Sequence, residues 1–227
     1  MSLEAPRLPL TQNIISGSLQ HSTLKDSTEA MLRRALLDGE MKPGGIYSAN
    51  AIAAQLGLSN SPVREAMMSL VNRGLLELVR NRGFRVVELD DKDKREVYDL
   101  RLLVEVEAVR RISSRGIDKQ QAAELRALAL KTIDLTKASL SEYLEADQEF
   151  HLKLVEILGN RRWLEIVEQL RDQSRVNGSY EHLKGDGKLL ASAKEHEQIT
   201  NAVIDGEPDL AAALMIQHLE YARPETR

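Results

Sequence analysis

Apolar residues recur along this chain at two periods, and the changes between them mark its elements. From Thr28 the positions Ala30, Met31, Ala35, Leu36 and Leu37 predict a helix, stopped by the Asp38-Gly39 turn and the Lys42-Pro43-Gly44-Gly45 breaker cluster. Ser48 is a good cap for a short helix from Ala49 to Leu56, with Ile52, Ala53 and Leu56 on one face and Gly57 at its end. Ser61-Pro62 then reads as a cap followed by proline at the first helical position. In the helix that follows, Val63, Ala66, Met67, Leu70 and Val71 form an apolar stripe, and Gly74 closes it. Next the period drops to about two: Leu76, Leu78 and Arg80 lead into Asn81-Arg82-Gly83, and Phe84 to Leu89 read as a second strand.

Beyond Asp90-Asp91 the helical period returns and persists. Runs are predicted from Lys92 to about Arg115, from Asp118 to about Lys137, from Ser139 or Ser141 to Leu158, and from Gly159-Asn160 to about Ser174. A loop from Asn177 to Gly187 precedes a helix from Ser192 to Asp205 and a last one from the Gly206-Glu207-Pro208-Asp209 turn to about Tyr221. The fold class is therefore mainly α: an N-terminal winged helix-turn-helix over residues 26 to 90, followed by an all-helical antiparallel bundle over 91 to 223. Residues 1 to 25 show no sustained periodicity and are assigned no fold.

Composition narrows the chemistry. The 227 residues include no cysteine, which excludes disulfides, thiolate nucleophiles and Cys-ligated zinc and leaves five histidines with the carboxylates for any transition metal. No apolar run is long enough for a membrane helix and no signal pattern opens the chain, so it reads as cytoplasmic, with no membrane partner. The net charge of −4 is unevenly placed: between Met31 and Val87 eight basic residues face four acidic ones, whereas the chain from Glu88 onward carries −7. A basic module that can approach phosphate precedes an acidic one that phosphate would repel, although scattered surface charge would give the same count.

The first helix-turn-helix-and-hairpin segment offers Arg64 in the opening turn of its second helix, able to fork onto guanine O6 and N7 or to clasp a phosphate. Asn60 could read adenine or merely cap, and Ser59 and Ser61 could donate to phosphate. Arg80, Arg82 and Gly83 form the basic tip of the hairpin, suited to the adjacent backbone or minor groove. The run from Leu36 to Val87, with its D-G-x-x-x-P-G turn, its L-G-x-S-x-x-P-V-R-E-A segment and its R-G-L-L…N-R-G-F-x-V hairpin, resembles the DNA-binding domain of GntR-type bacterial transcription regulators. Arg64 matches that pattern, while Asn60 stands where such proteins usually present arginine.

In the acidic half, Asp147 and His151 are four residues apart and share one helical face. His196 and His218 each lie among apolar helical positions. One carboxylate and three imidazoles converging in a bundle would suit zinc, nickel or a relative, whereas histidines that are merely hydrogen-bonded in the core would give the same spacing. The stretch from Lys92 to His218, with "LRLLVEVEAVR", "DQEFH" and "EHEQI…AVIDGEPDLAAALMIQHL", is similar to the FCD effector-binding domain of the FadR-like branch of those regulators. That resemblance implies a divalent metal on Asp147, His151, His196 and His218, and a small organic acid effector held also by an arginine. Arg101 is the first choice and Arg175 the second, with a surface salt bridge to Glu105 or Asp172 as the plainer role of each.

Taken together, the chain is expected to be a homodimeric regulator on a double-stranded DNA operator, a repressor released by its effector, and not an enzyme. His196-Glu197 lacks the second histidine of the H-E-x-x-H pattern because position 200 is Thr, and no nucleophile elbow or phosphate-binding loop occurs. A metal-dependent hydrolase and a purely structural metal ion are the alternatives.

Overall fold

The computed structural model describes residues 24–180, 183 and 187–224, and the chain divides after Leu89 into two compact units. Nearly all of the N-terminal segment left without a fold therefore lies outside the described residues. Its last two residues do not: helix α1 spans Leu24–Leu37 and so starts a turn before Thr28. Nothing between Leu24 and Thr28 breaks a helix, and the Thr28 hydroxyl donates to the Leu24 carbonyl at 2.7 Å.

Two further helices, α2 (Ala49–Leu56) and α3 (Asn60–Asn72), follow in the first unit, with α3 packed against both α1 and α2. The stripe expected on α3 is buried at Val63, Ala66, Met67 and Leu70, as are Leu32 and Leu36 of α1 and Ile52 and Ala53 of α2. The N-cap of α3 is Ser59, not Ser61, so Pro62 is the third helical residue. The shift costs no hydrogen bond, because the first four N–H groups of a helix have no partner within it and a missing one there is not felt.

Strands β2 (Leu76–Val79) and β3 (Gly83–Val86) form the expected antiparallel hairpin, with Leu78 opposite Phe84 and Val79 opposite Gly83. The pairing ends at Val86 where the pattern suggested Leu89. A third strand, β1 (Ile46–Tyr47), pairs with the other edge of β3, giving the order β1-β3-β2. Two residues are too few to show a period, which is why β1 is invisible in the sequence. Gly83, at φ 117°, is required by this third strand, since a Cβ there would lie 2.4 Å from the Tyr47 carbonyl oxygen.

The second unit is all helical. Helix α4 (Asp91–Arg101) continues through a π-helical turn at Leu102–Val106 into α5 (Glu107–Arg115), so the single run expected from Lys92 to Arg115 is present with one wide turn in it. Then come α6 (Lys119–Asp134), α7 (Leu140–Glu156), α8 (Arg161–Val176), α9 (Lys188–Ile204) and α10 (Pro208–Leu219). Their starts are chemically specified. Asp90, Asp118 and Ser139 each form a capping box with the residue three positions on, and the Asn160 side chain accepts from the Trp163 N–H. Helix α9 starts one turn before Ser192, which is not a cap but a buried interior residue accepting a hydrogen bond from the Tyr143 hydroxyl at 2.9 Å. Of the loop placed between Asn177 and Gly187, residues 181, 182 and 184–186 lie outside the described residues.

Helix α9 packs on α6 and α10, α7 on α6 and α8, and α5 on α10. Among the described residues three apolar clusters form in this unit, and two of them include residues of both α7 and α9. One joins Phe150 and Leu154 of α7 to Ile199 and Val203 of α9 and Met215 of α10, and the other joins Tyr143 and Leu144 of α7 to Ala193 of α9 and Ala222. On α7, α9 and α10 alike, a polar position falls between the residues of these clusters. No described helix is long and apolar enough to cross a membrane.

Candidate metal centre

Those polar positions are Asp147 and His151 on α7, His196 on α9 and His218 on α10, all buried. Helical spacing puts the first two one turn apart on the inner face of α7, and the packing of α9 and α10 brings the others to them. The Nε2 of His218 lies 3.0 Å from that of His151 and 3.1 Å from that of His196. Asp147 Oδ1 is 3.3 Å from His196 Nε2 and 3.8 Å from each of the other two. Ligand atoms about 2.0–2.1 Å from a common ion stand at such separations from one another.

The outer nitrogens decide which tautomers converge. The Thr132 hydroxyl donates to the Ala129 carbonyl at 2.7 Å, and its oxygen lies 3.0 Å from His196 Nδ1. Its one proton is thus engaged, and it can only accept from that nitrogen. Glu195 Oε2 is 3.0 Å from His218 Nδ1, and Glu105 Oε2 is 2.7 Å from His151 Nδ1. The Nδ1 atoms of His196 and His218 have acceptors in Thr132 and Glu195, while Glu105 Oε2 stands close to His151 Nδ1 without a well-aligned hydrogen bond, and the three Nε2 atoms and a carboxylate oxygen face one another. A donor set of that kind, with two imidazoles hydrogen-bonded from behind and the third backed by a carboxylate, fits a divalent cation.

Electrostatics keep these groups in the metal-binding form. Burial pushes His151 down to about 3, with the Arg171 charge acting in the same direction, and pushes His196 down to about 4. Burial opposes ionisation of Asp147, but the Arg171 guanidinium beside it holds its carboxyl well below the usual range. Glu105 is likewise held low, against burial, by Arg101 and Arg171.

Arg171, Glu195 and Thr132 were not singled out in the sequence, and Glu105 was named only as a salt-bridge partner for Arg101, although all four stand against the candidate ligands. Glu105 sits in the π turn and meets Arg101 Nε at 2.7 Å, Arg171 Nη1 at 2.8 Å and His151. Arg171, on α8, also donates through Nη2 to Asp147 Oδ2. The sequence offered a surface Arg101/Glu105 salt bridge as the alternative to effector binding by Arg101; the pair is present, but both residues are 1% exposed. Arg101 reaches the Tyr180 hydroxyl at 2.7 Å as well. Arg175, also buried, donates to Ser141 Oγ at 3.0 Å.

In the first unit, Ser59, Asn60, Ser61 and Arg64 are exposed at the start of α3, and Arg80 and Arg82 are exposed at the hairpin tip. Gly83 is half-buried, and its steric role toward β1 is the one the structure displays. The Arg64 guanidinium lies 5.9 Å from the centroid of the Phe84 ring.

Comparison with known proteins agrees with both halves. Residues 24–86 match the family described as bacterial regulatory proteins, gntR family, and residues 96–221 match the FCD domain. Among curated relatives, the Nta operon transcriptional regulator of Aminobacter aminovorans is 31% identical over 179 residues, covering 79% of this chain and 83% of that protein. The HTH-type transcriptional repressor RspR of Escherichia coli (strain K12) is 26% identical over 87% of this chain and 86% of its own length. Of solved structures, E. coli McbR/YncC superimposes with a TM-score of 0.77 over 88% of this chain and 95% of that one, at 22% identity, and so shares the fold.

Proposed function

Because the chain belongs to the gntR family of bacterial regulatory proteins and carries an FCD domain, we infer that it is a transcription regulator whose hold on its operator is set by a small carboxylate bound beside a divalent metal in the helical unit. The observation that carries this reading is the buried Asp147, His151, His196 and His218 group, with an oxygen within 3.0 Å of the outer nitrogen of each imidazole. Zinc or nickel suits such nitrogen-rich ligation. When bound, the ion would supply a Lewis-acidic anchor for a ligand carboxylate. Arg101 and Arg175, both buried in this unit, are the arginines to hold the rest of that anion.

The exposed start of α3 enters the major groove, with Arg64 on a base edge or phosphate and Ser59, Asn60 and Ser61 beside it, while Arg80, Arg82 and Gly83 approach the flanking backbone. A homodimer would present two such modules to a near-palindromic operator. Effector binding and DNA binding are then reciprocally linked, and release of a repressor on effector binding is the direction adopted here. The family reading favours regulation over hydrolysis, and the FCD match favours an effector site over a purely structural ion.

The test is selection of genomic fragments by the purified protein in the presence of nonspecific competitor, followed by titration of the selected site with small carboxylates, with and without a chelator. Enrichment of a palindrome whose binding responds to one acid only in the metal-loaded protein is expected. Sequence-independent recovery would refute the operator reading, and a response that survives chelation would refute the metal's part in it.

A further inference from the structure

A carboxylate has two oxygens, and either one or both can ligate a metal. Here the two oxygens of Asp147 have different neighbours. Oδ1 faces the three Nε2 atoms, whereas Oδ2 accepts from Arg171 Nη2. Arg171 is not free to drift from that position, because its Nη1 is fixed by Glu105 Oε2 at 2.8 Å. Glu105 is fixed in turn by Arg101 Nε at 2.7 Å and stands 2.7 Å from His151 Nδ1. The guanidinium thus spans two carboxylates, one a candidate ligand and the other the support of a second candidate ligand. Arg171, Glu105 and Asp147 are all at least nine-tenths buried, so their charge-assisted bonds are shielded from water.

Resting on the metal reading above, we propose that Arg171 is a positioning residue that confines Asp147 to one ligating oxygen and thereby keeps a coordination position of the metal open for an exogenous ligand. Two consequences separate this role from general support of the fold. Removing the guanidinium releases Oδ2 to the metal, which raises the coordination number even with no ligand added. It also closes the position that an added carboxylate would take. A residue that merely stabilised the bundle would instead weaken metal binding, on the order of 10–100-fold for an outer partner of a ligand, and leave the character of the bound ion unchanged.

The experiment loads metal-free protein with Co2+ alone and records its visible absorption, which weakens as the coordination number of the ion rises; acetate is then titrated. Full-length wild type, Arg171→Met and Arg171→Lys are compared, with Co2+ affinity measured by chelator competition. We expect Arg171→Met to bind Co2+ with a weaker visible band before any acetate is added, and to respond to acetate roughly tenfold or more less sensitively. Arg171→Lys, which keeps a cation on Oδ2, should regain the wild-type band. Should Arg171→Met fail to fold because Glu105 and Asp147 are left without their counter-charge, the double variant Arg171→Met/Glu105→Gln restores the buried charge balance, and its band is compared with that of Glu105→Gln alone, so that the change behind His151 is common to both. A band unchanged by removing Arg171, at full Co2+ occupancy, would overturn this inference alone. A wild type that takes up no Co2+ would overturn the metal reading and this inference with it.

Discussion

The Thr132 hydroxyl accepts from His196 Nδ1 at 3.0 Å while donating its own proton to the Ala129 carbonyl, and so selects the tautomer in which His196 Nε2 is bare. Thr132→Val keeps the shape and removes the acceptor. Metal affinity should fall roughly 10–100-fold, as for other outer partners of ligating histidines. The fold should survive, since one net hydrogen bond is worth about 1 kcal/mol. Chelator competition on the variant, beside its thermal melt, checks both statements.

Metal removal distinguishes the roles an ion could have. The chelated protein should melt at a lower temperature than the loaded one, and zinc or nickel should restore it, because a ligand of the folded state stabilises by mass action. Adding the effector acid should raise the melting temperature further, and only with metal present. An ion that served solely to brace the bundle would give the first effect without the second.

Acid should unfold the metal-free protein early. His151 and His196 are held at about 3 and about 4 in the fold, below the 6.5 of an unhindered histidine. Between those values the unfolded chain binds protons that the folded one refuses, so stability rises with pH there. It is complete above about pH 6.5 and is lost as pH falls through the folded values. Protonation of Glu105 and Asp147, both held low, acts in the same direction at still lower pH. A melting temperature that stays level from about pH 7 to about pH 4 in chelated protein would contradict this account.

Arg64→Ala should weaken operator binding by about 1–3 kcal/mol if Arg64 forks onto a guanine, with specificity relaxed at that base pair. Arg80→Ala and Arg82→Ala should weaken all sequences alike and each reduce the salt dependence by about one unit of slope. Fluorescence anisotropy across a salt series, on the operator and on an unrelated duplex, separates these patterns.

Gly83→Ala places a methyl group 2.4 Å from the Tyr47 carbonyl oxygen at a backbone φ of 117°. Both the strain and the lost β1 pairing act on the hairpin, and a destabilisation of about 1–3 kcal/mol or more is expected. Denaturant melts of the variant measure it. An unchanged midpoint would mean that β1 is dispensable to the wing.

Much of this protein is decided locally and can be read from the sequence alone. The apolar stripe of α3, the Asp118 cap, the Gly57 stop and the hairpin at Asn81-Arg82-Gly83 each depend on a few neighbouring residues, and each is present in the structure. Asp147 and His151 share a face for the same reason, since four residues make about one turn. Local pattern failed where tertiary contacts set the boundary. Strand β1 exists only because β3 offers an edge, and α9 begins before Ser192, whose hydroxyl is engaged by Tyr143 from α7 rather than by a helix start. The support of the candidate metal group lay furthest from view. Glu105 and His151 are 46 residues apart, Arg171 and Asp147 24, Thr132 and His196 64, and none of these pairs shares a helix. Periodicity tells which face of a helix turns inward but not which helix it will meet there. The sequence therefore named the four candidate ligands, while the packing of α7, α8, α9 and α10 around the π turn chose the nitrogen each imidazole presents and the oxygen Asp147 has left to offer.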